Sequence, residues 1–142
     1  MDRRDWAPVQ AMIDRHEGRR LYLYYDTKQL PTIGAGRNLA AKGISVMELD
    51  YLRDNDISDA IHELMQYSWY SGLNQPRQAA LIDMMFTLGP RRFEGFVHMT
   101  SALAAGDCLT ASKAGLDSTW HGEAPKRCEF DMQLLATGEW PK

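Results

Sequence analysis

Two carboxylates and a hydroxyl stand close together early in the chain: Glu17, Asp26 and Thr32, within the stretch HEGRRLYLYYDTKQLPTIGAGRNL that runs from His16 to Leu39. A carboxyl that holds its proton at working pH can serve as a general acid. A second carboxylate beside a hydroxyl, which both accepts and donates, can orient a water and take its proton. Glu17 closes a pattern at Trp6, Val9, Met12, Ile13 and His16 that has the spacing of one helix face, and Gly18 follows where a helix stops. Glu17 is therefore expected at a helix C-terminus, where the macrodipole presents partial negative charge and favours the protonated carboxyl.

Asp26 comes after Leu21 to Tyr25, whose leucines and tyrosines favour a strand, and it opens the turn-like Asp26-Thr27-Lys28-Gln29. The run Leu30 to Gly36 is expected to fold back antiparallel. Without that return, the extended residues between the carboxylates would separate them by up to about 30 Å, so spacing alone does not pair them. The turn Lys28-Gln29-Leu30-Pro31 carries no glycine, which disfavours positive φ there, and Pro31 withholds one ladder donor.

The elements that must hold this stretch can be read outward from it. A helix over 5–17 and a small antiparallel sheet over 20–36 make a first lobe, followed by a short connection from Leu39 to Ile44. Ser45 and Glu48 form a capping box, and Leu49, Leu52, Ile57, Ala60, Ile61 and Leu64 recur at helical spacing, predicting a helix from 46 to about 66 that links two lobes. Its Asp50, Asp54, Asp59 and Glu63 read as a solvated face. Gln66 to Leu73, with Trp69 and Tyr70, reads as an aromatic connector packed where the lobes join. Asn74 can cap the next helix, and Ala79 to Leu88 is apolar almost all round until Gly89-Pro90, predicting a helix buried on every side at the centre of a second lobe. Shorter helices at about 97–105, 108–116 and 123–136 surround it. The fold class is thus α+β and mainly α, in a single domain over 1–142 with lobes at about 1–45 and 67–142.

Composition bounds the function. With 142 residues, 44% of them hydrophobic, the chain can fill a core. Its formal net charge of -3 argues against a general grip on nucleic acid or anionic membrane, and Arg19-Arg20, Arg91-Arg92 and Lys126-Arg127 read as solvated charge or local patches. No run has the length and apolarity of a transmembrane helix, and the first residues lack the apolar core of a secretory signal, so synthesis in the cytoplasm is expected. Cys108 and Cys128 read as reduced, structural thiols. His16, His62, His98 and His121 lack metal-ligand spacing, and Ser101, Ser112 and Ser118 lack the context of an acyl-transfer nucleophile. Gly34 and Gly36 lack the third glycine of a dinucleotide fingerprint. No metal or cofactor is assigned.

The residues Glu17-Gly18, Arg20-Leu21, Tyr24, Asp26, Thr32-Ile33-Gly34, Gly36 and Asn38 resemble, in type and spacing, the active-site signature of the phage-type lysozymes, the endolysin and muramidase family (glycoside hydrolase family 24). Arg77, Ala79 to Ile82, Met84, Phe86, Gly89, Phe93, Gly95-Phe96, Ser118, Trp120, Pro125, Arg127, Thr137-Gly138 and Trp140 continue in the family's order. The resemblance implies a lysozyme-like fold and hydrolysis of the β-1,4 bond between N-acetylmuramic acid and N-acetylglucosamine in peptidoglycan, with Glu17 as acid and Asp26 and Thr32 holding the attacking water. It implies saccharide contacts from Gly36, Asn38 and Arg127, the last placed facing the acid. Phe86 and Trp120 read either as core or lobe-edge aromatics or as walls of the saccharide groove. Where many members carry histidine this chain has Arg37, and the resemblance sets that position opposite Asp56, predicting an ion pair between sheet and long helix.

An inverting hydrolase needs its carboxyls roughly 6.5 to 9.5 Å apart. Lytic transglycosylation would use Glu17 alone, and a degenerate virion or wall-binding module would use none of the three. A monomer that reaches the wall through a membrane-perforating partner or a virion completes the expectation.

Overall fold

A computed structural model describes residues 2–142, which divide into a first unit ending at Asp50 and a second, Tyr51–Lys142. In the first unit a single 3-10 turn, Arg3–Asp5, is capped by the Asp2 carboxylate and leads into helix α1, Ala7–Glu17. Pro8 suits the first turn of α1, because its missing N–H would have no partner there. Gly18 at φ 80° ends the helix by leaving helical geometry, and its N–H still bonds to Asp14 O. Strands β1 (Arg20–Tyr25), β2 (Pro31–Gly34) and β3 (Arg37–Asn38) then form an antiparallel sheet in the order β1-β2-β3, with Tyr24 opposite Thr32 and Thr32 opposite Asn38. Asn38 caps the short helix α2, Leu39–Lys42, by accepting from Ala41 N at 3.0 Å.

Helix α3, Val46–Leu64, starts on the predicted capping box: Glu48 N donates to Ser45 Oγ at 3.2 Å, and Ser45 N donates to Glu48 Oε2 at 3.0 Å. Arg37 forks onto the same Glu48 carboxylate, with Nη2 to Oε1 at 2.7 Å and Nη1 on Oε2. This corrects the expected Arg37–Asp56 pair. The capping box already fixes Glu48 one turn into α3 and presents its carboxylate to a fork that matches it.

The second unit holds the apolar core. Tyr70 is buried beyond α3, and Tyr67 stacks near Trp69 and meets Phe93 edge-on, so the aromatic connector belongs to this core. Helix α4, Gln75–Glu94, begins on the Asn74 cap and breaks at Gly89 (φ 79°), after which Pro90 starts one further turn. Expected to be buried all round, α4 buries Ala80, Leu81, Met84 and Met85 but exposes Phe86 and Thr87. It is amphipathic, and one face reaches solvent.

Helices α5 (Val97–Ala104), α6 (Cys108–Leu116), α7 (Thr119–Glu123) and α8 (Pro125–Thr137) follow. The five residues of α7 are a helix that the periodicity missed, though Ser118 signals its start by accepting from His121 N. Gly115 lets α8 approach α6, since a Cβ there would run into Met132 Sδ. The far end of α8 is clasped to the start of α4: Arg77 Nε donates to Leu135 O at 2.9 Å, Arg77 Nη2 to Ala136 O at 3.2 Å, and Asn74 Nδ2 to Gly138 O at 2.9 Å. Both cysteines are free thiols, and burial pushes the Cys128 thiol up to about 11.

Candidate active site

In the first unit the last residue of α1, Glu17, lies against the turn between β2 and β3. A Cβ built on Gly36 would sit 2.5 Å from Glu17 Oε2 and 2.8 Å from its carboxyl carbon, and Gly36 also has φ 82°. Both facts require glycine, and together they place the Glu17 carboxyl over the sheet that carries the other candidates.

Asp26 sits at the end of β1 and organises the turn to β2. One carboxylate oxygen, Oδ1, accepts from Lys28 N at 2.8 Å and Leu30 N at 2.9 Å, while Asp26 N donates to Leu30 O at 3.0 Å. Such a side chain serves as an Asx turn, which explains why aspartate suits the position structurally as well as chemically. The turn completes without glycine because Gln29 itself takes φ 62°. A non-glycine residue there costs roughly 1 to 2 kcal/mol.

Thr32 is 3% exposed, and its hydroxyl donates to Leu30 O at 2.9 Å. The peptide groups of Leu30 therefore hold both Asp26 and Thr32. With its proton committed to Leu30, the Thr32 hydroxyl keeps acceptor capacity. Asn38, opposite Thr32 in the ladder, spends its side-chain oxygen on capping α2. The small sheet and its turns thus carry Gly36, Asp26, Thr32 and Asn38, and Glu17 at the end of α1 meets them at Gly36.

The remaining expected contacts lie in the second unit. Phe86 is 43% exposed and borders two cavities, one of about 340 Å³ lined with Ile57, Ile82, Asp83 and Arg127, the other of about 350 Å³ with Asp56, Asp59, His62 and Glu63. Trp120 is 1% exposed and packed among the helices, so it is a core residue and not a groove wall. Arg127 forks onto Asp83, Nε to Oδ2 at 2.7 Å and Nη2 to Oδ1 at 2.6 Å, and this guanidinium holds the Asp83 carboxyl below the usual carboxylate range. Sequence reasoning missed Asp83 as its partner. Among the described residues no group of three histidines, cysteines or acids is placed to hold a metal ion, and no helix is long and apolar enough to cross a membrane.

A small antiparallel sheet with a glutamate from the preceding helix, in a chain otherwise built of helices, defines a lysozyme-like α+β protein. The profile of the family described as phage lysozyme matches residues 14–128, and the chain belongs to that family, which makes it a peptidoglycan-degrading glycoside hydrolase. It is 28% identical to the pre-baseplate central spike protein Gp5 of Enterobacteria phage T4 over 92% of its own length, though it spans 28% of the length of that protein. It is 25% identical to a Dictyostelium discoideum protein named "Probable T4-type lysozyme 2" over 93% of this chain and 95% of that one. The endolysin of Salmonella phage P22 is 30% identical over 74% of this chain and 81% of its own.

Proposed function

We propose that the chain is an inverting N-acetylmuramidase that cleaves the β-1,4 bond between N-acetylmuramic acid and N-acetylglucosamine. The observation that carries this reading is the packing of the Glu17 carboxyl against Gly36, on the sheet where Leu30 ties Asp26 to Thr32. Glu17 protonates the leaving oxygen. Asp26 and Thr32 orient a water on the opposite face of the sugar, Asp26 takes its proton, and the oxocarbenium-like transition state gains from the same carboxylate. The glycan contacts in this reading are Gly36, Asn38, Phe86 and Arg127.

Mass spectrometry of digested peptidoglycan tests the reaction: muropeptides with a reducing muramic acid end are expected, whereas anhydro products would mean transglycosylation. NMR of the fresh product, recorded before mutarotation, should show the α-anomer first, and an initial β-anomer would recast Asp26 as a nucleophile. Thr32→Val, which keeps the shape and removes the acceptor, should bind glycan and turn over slowly.

The enzyme works as a monomer, is made in the host cytoplasm, and reaches the periplasmic wall through a membrane-perforating partner or as part of a virion. Similarity to both an endolysin and a spike protein supports either route. Expressed without such a partner it should leave cells intact until the inner membrane is permeabilised. Spontaneous lysis would refute this.

A further inference from the structure

Helix α8 carries two charged residues one turn apart, Arg127 and Asp131, and both meet Asp83 of α4. Arg127 occupies both Asp83 oxygens with its fork. Asp131 is 2% exposed, has an Oδ2 with no partner, and lies close enough to Asp83 for the two carboxyls to influence each other. Two ionised carboxylates cannot bond to each other, because each only accepts, so a bond between this pair needs a proton on one of them. The guanidinium keeps Asp83 ionised. Burial, reinforced by the neighbouring Asp83, pushes the Asp131 carboxyl up to about 8 and leaves the proton there.

The surroundings are sparse in charge. From α4 Asp131 faces Asp83, and on α8 Arg127 and the Cys128 thiol lie beside it. His121 of α7 is paired with Glu129, and α6 buries Ala111, Ser112 and Gly115.

We propose that Asp131 is a positioning residue whose carboxyl donates to Asp83, steadies the carboxylate onto which Arg127 forks, and so aims Arg127 at the cavity bordered by Phe86. The inference rests on the reading of Arg127 as a glycan contact. Ionising Asp131 would remove the hydrogen bond and set two anions against one arginine. Glycan binding then weakens as pH rises through about 8, while the chemistry at Glu17 and Asp26 is untouched.

The test follows the carboxyl carbons and the Arg127 Nε signal of the full chain by NMR from about pH 5 to about pH 10, beside kcat and KM on solubilised glycan strands. One carboxyl should titrate near 8, the Arg127 signal should broaden over the same range, and KM should rise several-fold with kcat little changed. Asp131→Asn retains a donor for Asp83 and cannot ionise, so it should keep the neutral-pH KM and lose all three alkaline changes. Asp131→Val fills the core without a donor and should raise KM several-fold already at neutral pH, with a melting curve reporting whether it folds. If it does not fold, the asparagine variant and wild type decide alone. Titration of every carboxyl below about pH 6, or an alkaline KM rise that persists in Asp131→Asn, overturns the proposal. If wild type cleaves no glycan at any pH, the muramidase reading falls, and the Arg127 signal alone then supports or overturns the positioning role.

Discussion

The two units are held together by different means. Among the described residues up to Asp50, Thr32 is the one buried side chain, and Leu21 and Tyr22 are 86% and 85% exposed. Order there comes from hydrogen bonds: the Asp26 turn, the Asn38 cap, the Ser45–Glu48 box and the Arg37 fork. Beyond Tyr51 the buried set is apolar and extensive, with Leu64, Leu81, Met84, Phe93, Met99, Trp120, Met132 and Leu135 all at 2% exposure or less. Glu17, Asp26 and Thr32 therefore stand on the unit with the thinner core. Local opening costs least where few apolar contacts must be broken, which lets a site admit a polymer while a packed neighbour keeps the fold.

If this division is right, activity and stability should separate on mutation. Glu17→Gln should lower turnover 100-fold to 10,000-fold, since the amide is nearly isosteric yet donates no proton to the leaving oxygen, and should leave the melting temperature in place. More than a tenth of wild-type turnover would remove Glu17 from its role. Leu81→Ala, in the helical core, should destabilise by about 2 to 5 kcal/mol, whereas Leu21→Ala on β1 should stay within about 0.5 kcal/mol; equal costs in denaturant titrations would break the comparison.

Gln29→Gly should stabilise by up to about 1 kcal/mol. It relieves the left-handed backbone at a smaller entropic cost in the unfolded chain, and a loss of stability would show that the Gln29 side chain contributes contacts of its own. The smallest effect belongs to Arg37 and Glu48. Arg37 holds the exposed Glu48 carboxyl below its usual value, with Ser45 N–H assisting. A depressed folded value means that stability is present above the ordinary carboxylate range and is lost as pH falls through the folded one. An alanine double-mutant cycle should find coupling at neutral pH that fades in acid; coupling of Arg37 to Asp56 instead would reinstate the expectation read from sequence.

Helix ends were the most legible features, because caps are local chemistry: Ser45 with Glu48, Asn74, and Gly18 after Glu17 all act where their residue types suggested. The hairpin around Asp26 was legible as a turn, but Gln29 in positive φ was not, since propensity argues against it and the hydrogen bonds to Asp26 Oδ1 override propensity. Facing was the least legible. Whether Phe86 points to solvent, Trp120 inward, or Asp131 into a core depends on how α4, α6, α7 and α8 cover one another, and periodicity within one helix does not say which neighbour takes each face. The Arg37 partner failed for a related reason, because a carboxylate fixed by its own cap competes better than one two turns further on.

The clasp between α8 and α4 also has a mechanical meaning. Tension on the backbone beyond Gly138 reaches Asn74 and Arg77 before it can peel α8 from the helices beneath it. Three hydrogen bonds to carbonyls of the last turn of α8 and its cap share that load, and a Cβ at Gly138 would press against Arg77 and Asn74 and prise them apart. A cargo pulled from this end would therefore test the anchor at the first turn of α4 before it tests the core.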